Sequence, residues 1–172
     1  MDARDRVRRL TLAAMLTALS AAVLFFAGLV PSGKLGLTAI AGLIPAVAVL
    51  EGGIRTGFLC YAGTSLLSLV LLPGKLPALL YAILLGHYPM LKSLIERLRR
   101  RPLEWLCKLA LANALFFLLR RLVWALLSPS LPEALSAAWL YYLAGSAAFV
   151  AYDFGFSRLI ALYRSRRLKR GR

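Results

Sequence analysis

The chain has 172 residues, is 60% hydrophobic, has a mean hydropathy of +0.74 and carries a net charge of +15. A water-soluble domain of this length has no interior large enough for so much apolar surface, so the composition excludes an ordinary soluble fold and indicates an integral membrane protein. The basicity does not indicate nucleic acid: the positive residues sit at the ends of apolar segments and in tails, without a recognition module, zinc signature or aromatic RNA-binding platform.

A basic head, residues 1–9, carries Arg4, Arg6, Arg8 and Arg9 and precedes an apolar run at 10–30. About 20 apolar residues, each rising ~1.5 Å, cross a hydrocarbon core about 30 Å thick. The run exceeds the roughly 7–15 apolar residues of a secretory signal, so a permanent helix is expected. Ala14, Ala18 and Ala22 recur every fourth residue and form one smooth stripe along it. Small residues at that spacing let a second helix backbone approach closely, a main source of association in lipid.

The turn Pro31-Ser32-Gly33-Lys34 ends this helix. A short second helix is expected at 35–50, with Gly36, Gly42 and Pro45 inside it and Glu51-Gly52-Gly53 at its end. The third, 54–72, stops at Pro73-Gly74-Lys75. The fourth, 76–94, has Pro77 in its first turn, where a missing N–H costs little, and passes through Gly86-His87-Tyr88-Pro89. Arg97, Arg99, Arg100, Arg101 and Pro102 form the strongest break in the chain. The fifth helix is expected at 103–127 and the sixth at 134–163, separated by Ser128-Pro129-Ser130-Leu131-Pro132. A basic tail, 164–172, is expected to be disordered at its end.

The fold class is therefore all-α, a polytopic membrane protein with six transmembrane helices. Six crossings place both termini on one side, and the charges test that placement. Eighteen of the 22 Lys and Arg fall in the head, the 2–3 turn, the 4–5 loop with its flanks, and the end of the sixth helix with the tail. Only Lys34, Lys75, Arg120 and Arg121 fall on the other side. The asymmetry makes both ends cytoplasmic in a multi-pass protein of the cell membrane, with the basic flanks against anionic membrane lipids.

A six-helix membrane chain of this length with Ala14, Ala18 and Ala22 on its first helix resembles the substrate-binding S components of energy-coupling factor vitamin transporters. The resemblance extends to Gly42-Leu43-Ile44-Pro45 in a short second helix, the turn Glu51-Gly52-Gly53-Ile54-Arg55-Thr56-Gly57, and a third helix ending Leu71-Leu72-Pro73. It covers the whole chain in layout and identifies no ligand. It implies an S-component-like bundle that captures a vitamin or related micronutrient from outside. It further implies docking through the first helix on a transmembrane coupling subunit driven by two ATPase subunits. The chain itself lacks a phosphate-binding loop, since Gly33-Lys34-Leu35 and Gly74-Lys75-Leu76 have neither the glycine-rich lead nor the following Ser or Thr.

Ligand-binding candidates are residues whose chemistry is costly inside a bilayer. Lys34 and Lys75 open helices whose N-termini favour an anion, although interfacial lysines also simply reach for water. Asn113, Arg120 and Trp124 share nearly one face of the fifth helix, where a guanidinium would hold a carboxylate or phosphate by its fork of donors. The bland reading gives Asn113 a hydrogen bond between helices and makes Arg120, with Arg121, a boundary marker. His87 and Tyr88 lie mid-way along the fourth helix beside Pro89, which frees a carbonyl; packing is the competing reading for the histidine. Asp153 is the one acid well inside a crossing, either a ligand group or the partner of Lys108 or Arg158. Tyr141 and Tyr142 suit stacking on a flat ligand, or an interfacial belt. Lys92 and Glu96 form an i, i+4 pair at a solvated boundary.

Cys60 and Cys107 lie inside apolar segments without metal-ligand spacing and read as buried thiols. No set of nucleophile and base, no paired carboxylates and no metal cluster is evident, so neither an enzyme nor a cofactor is expected. The alternative to a transporter subunit is a non-transporting six-helix scaffold, similar in layout to the rod-shape-determining membrane proteins.

Overall fold

The computed structural model describes residues 3–95, 101–127 and 138–170, and every described element is helical. The chain forms two compact units, Met1–Val123 and Trp124–Arg172, with the boundary inside a helix. In order, the helices are α1 (Ala3–Leu29), α2 (Lys34–Gly52), α3 (Ile54–Leu71), α4 (Lys75–Leu80), α5 (Tyr88–Ile95), α6 (Arg101–Leu127) and α7 (Ala138–Arg170). Among the described residues, four segments are long and apolar enough to cross a membrane: Ala3–Leu29, Lys34–Gly52, Ile54–Leu71 and Lys75–Ile95.

In the first unit α1 packs against both α2 and α3. It buries Ala13, Ser20, Leu24 and Ala27, spaced at whole helical turns, and leaves Ala14, Ala18 and Ala22 exposed. The buried face is tight. A Cβ on Gly63 of α3 would lie 3.0 Å from Thr17 Cγ2 of α1, and Thr17 Oγ1 donates to Cys60 O at 3.4 Å. α2 and α3 are joined through Gly53 alone, whose φ of 87° is open to glycine at little cost. Thr56 Oγ1 secures the joint by donating to Gly52 O at 2.8 Å.

Pro45 sits fully buried within α2 and cannot donate to the carbonyl four residues earlier, that of Ala41. Ser20 Oγ of α1 fills that role, donating to Ala41 O at 3.2 Å. The proline break in one helix is thus closed by a hydroxyl from its neighbour.

The fourth helical segment, expected at 76–94 with a disturbance beside Pro89, runs over Lys75–Ile95 and is not uniformly α-helical. α4 passes into a π-helical turn, Tyr81–Leu85, where Gly86 N donates to Tyr81 O at 2.7 Å, five residues back. A bend at Gly86 and His87 follows, and Pro89 lies in the first turn of α5, where its missing N–H is tolerated. Leu79 and Leu80 of α4 pack with Leu119 of α6.

Three other expectations are corrected. The first helix, expected from residue 10, already begins at Ala3, so Arg4, Arg6, Arg8 and Arg9 lie on its first turns. The tail is helical as far as Arg170, an extension of α7 well beyond 163. Lys92 does not lie at a solvated boundary: it is 3% exposed, with Nζ 5.8 Å from the centre of the Tyr88 ring. Glu96, its expected partner, lies outside the described residues.

Candidate functional site

The polar chemistry of the first unit gathers between α1, α3 and the π turn. One face of α3 carries Cys60, Tyr61, Thr64, Ser65 and Ser68, spaced four, five and eight residues from Cys60 and hence adjoining one another. Cys60, Thr64, Ser65 and Ser68 are buried, and Tyr61 is half-buried. Tyr81, the first residue of the π turn, is completely buried in the cluster of Leu24, Ala41, Leu72 and Ala78. Its hydroxyl lies beside those of Ser20 and Thr64, while Ser65 lies beside the Tyr61 hydroxyl.

These groups sit at a common depth. Thr64 is seven residues from the Leu71 end of α3, or about 10 Å. Ser20 is nine from the Leu29 end of α1, about 14 Å, and Tyr81 six beyond the start of α4, about 9 Å.

Some of these polar atoms are satisfied. Tyr61 OH donates to Ala82 O of the π turn at 2.8 Å, and Ser68 Oγ to Ser65 O at 3.0 Å. Thr64 Oγ1, Ser65 Oγ and Tyr81 OH are not, since none meets a protein group in hydrogen-bond geometry. An unmet buried hydroxyl costs about 1–3 kcal/mol, so three together are unusual in a native interior. π turns are rare and recur at functional sites, and one begins at this tyrosine.

Tyr61 connects the cluster to a sequence candidate. Its ring centre is 6.3 Å from that of Tyr81 and 5.9 Å from that of His87, the latter edge-on. His87 is half-buried at the bend, and its ring also reaches the Ala82 backbone. Gly86 is required here by space: a Cβ would lie 2.7 Å from both Tyr61 Cδ2 and Tyr81 Cε1. Tyr88, 1% exposed, is buried next in sequence under the Lys92 ammonium.

The remaining candidates are placed elsewhere. Lys75 Nζ donates to Leu69 O at 2.7 Å and Leu72 O at 3.1 Å, so its charge closes the C-terminal end of α3. Lys34 opens α2, where its carbonyl accepts from Thr38 Oγ1 at 2.7 Å. Asn113 Nδ2 turns back on its own helix to Leu109 O at 2.9 Å. Arg120 is half-buried on α6, and the Arg121 guanidinium lies 5.4 Å from the centre of the Phe117 ring.

Lys108 pairs with Glu104 at 3.0 Å. In the second unit Asp153 is 4% exposed and its carbonyl accepts from Ser157 Oγ at 2.8 Å. The Arg158 guanidinium lies over Phe154, and Tyr142 is half-buried. The side chains of Trp124 and Tyr141 are outside the described residues.

Sequence reasoning singled out charged, aromatic and amide side chains and missed Ser20, Thr64, Ser65 and Tyr81. The legible signal was the density of hydroxyls in α3, Thr64-Ser65 with Ser68, on the same face as Tyr61. Among the described residues no three His, Cys, Asp or Glu side chains converge as metal ligands. No family model, curated protein or solved structure matches the chain.

Proposed function

We propose that the chain is the membrane-embedded substrate-binding subunit of an energy-coupling factor transporter, with six crossings and both termini in the cytoplasm. It captures a vitamin or related micronutrient from outside and presents it to a coupling subunit and two ATPase subunits. The observation that carries the reading is the division of labour on α1. Ala13, Ser20, Leu24 and Ala27 hold the fold together, while Ala14, Ala18 and Ala22 form a small-residue stripe left exposed by the other helices. Such a stripe is what close helix-to-helix docking in lipid requires. A broken fourth segment with unmet buried hydroxyls gives the same chain an interior suited to a guest.

The test is the double variant Ala14→Leu/Ala18→Leu. Both positions are exposed, so the variant keeps its melting temperature and its ligand response but no longer co-purifies with the coupling and ATPase subunits. Complex formation as strong as that of the unmodified chain would sink the docking claim and favour the scaffold reading.

A further inference from the structure

The unmet hydroxyls have a shared chemistry. Thr64, Ser65 and Tyr81 are 0%, 9% and 0% exposed, and their side-chain oxygens lie beside one another, Cys60 and the Tyr61 hydroxyl without completing a hydrogen bond of ordinary geometry to any protein group. Ser20 adds a fourth hydroxyl beside Tyr81, although its proton is directed to Ala41 O. Each of these groups both donates and accepts, and none carries a charge at neutral pH. An ion placed among them would have no opposite charge to offset its desolvation, whereas a neutral group with a donor and an acceptor matches them.

The backbone adds to the match. The π turn begins at Tyr81 and sets its ring among these groups, and the missing side chain at Gly86 lets the Tyr61 and Tyr81 rings close over the backbone there.

We infer that the Ser20, Thr64, Ser65 and Tyr81 cluster is a binding site for an uncharged hydrogen-bonding group. Two sources supply that chemistry: water, or the neutral polar end of a captured nutrient. The second source rests on the capture reading above, and the first does not.

The experiment is radiolytic labelling of the full-length protein in heavy-oxygen water, read by mass spectrometry after small molecules have been removed. Tyr81 has no exposed surface, so hydroxyl radicals label it only from water held inside. Strong labelling of Tyr81 is expected, falling several-fold in Thr64→Val/Ser65→Ala and preserved in Thr64→Ser. Matching helical circular dichroism and gel-filtration profiles establish that the variants fold. An unlabelled Tyr81 in the unmodified chain, or equal labelling in the double variant, overturns the site.

The source is decided by repeating the labelling with neutral and acidic partners of one skeleton, nicotinamide with nicotinate and pantothenol with pantothenate. Protection of Tyr81 by a neutral member alone assigns the site to a nutrient. Labelling unchanged by all four assigns it to water. Equal protection by the acids overturns the uncharged assignment. The two readings fail differently: a chain that no nutrient stabilises but whose Tyr81 is labelled loses the capture role and keeps the site.

Discussion

Removing the Ser20 hydroxyl should cost stability in a way that depends on a proline in another helix. Pro45 deprives the Ala41 carbonyl of its ordinary donor within α2, and Ser20 Oγ supplies the replacement at 3.2 Å. Both Ser20 and Ala41 are completely buried, so no solvent takes over in Ser20→Ala. Losing the bond and leaving a buried acceptor unmet together cost about 1–3 kcal/mol. At ~2–4 °C per kcal/mol for a chain of this length, the melting temperature falls by about 2–12 °C. Pro45→Ala returns an N–H to the position that faces Ala41 O. In that background the same Ser20→Ala change should cost less than about 1 kcal/mol, because the carbonyl is satisfied from its own helix.

A thermal melt of the four proteins, followed by tryptophan fluorescence, measures the coupling between the two positions. The cycle cancels the separate cost of truncating the buried Pro45 ring. Equal losses from Ser20→Ala in both backgrounds would refute the reasoning, since the serine would then be serving something other than the proline break.

Gly86→Ala sets a favourable backbone term against a steric one. The residue has helical torsions, φ −71° and ψ −36°, so alanine alone would gain about 0.5–1 kcal/mol. The new methyl group would crowd the Tyr61 and Tyr81 rings, an overpacking cost of about 1–3 kcal/mol, so a lowered melting temperature is expected and a raised one contradicts the packing. Lys75→Ala removes two charge-assisted bonds from the end of α3 and should cost about 1 kcal/mol after allowance for exposure, with partial retention in Lys75→Arg, both read by thermal melts. Reporter fusions at the two ends should both report the cytoplasm, as the charge asymmetry requires; opposite sides would refute six crossings.

Helix boundaries were legible wherever the local chemistry is unambiguous. α2 and α3 meet at Gly53 because a left-handed residue is needed there, and α1 stops two residues before Pro31 because the proline ring ends the ladder. The fourth segment was legible as a place, since Gly86, His87 and Pro89 mark a disturbance. It was not legible as a π turn, which depends on the Tyr81 ring finding space against Leu24, Ala41 and Leu72 from other helices.

The candidate site was the least legible part. Lysines draw attention in an apolar sequence, yet Lys75 closes a helix end and Lys92 lies buried beside Tyr88. Ser20, Thr64 and Ser65 drew none, because a hydroxyl in an apolar helix most often bonds its own backbone, as Thr38 and Ser68 do. Only the neighbours in space distinguish the two cases. Among the sequence candidates, the ring of His87 meets Tyr61 at the edge of the hydroxyl cluster.

The central claim is that this chain captures a small nutrient. Its most direct test is the melting temperature of the purified protein across a concentration series of vitamins and their precursors. A ligand that binds only the folded state raises stability with the logarithm of its concentration once above its dissociation constant. The account predicts at least one compound with that dose-dependent rise, undiminished by Ala14→Leu/Ala18→Leu. No shift from any member of the panel, with the protein folded and free of co-purified small molecules, would contradict it.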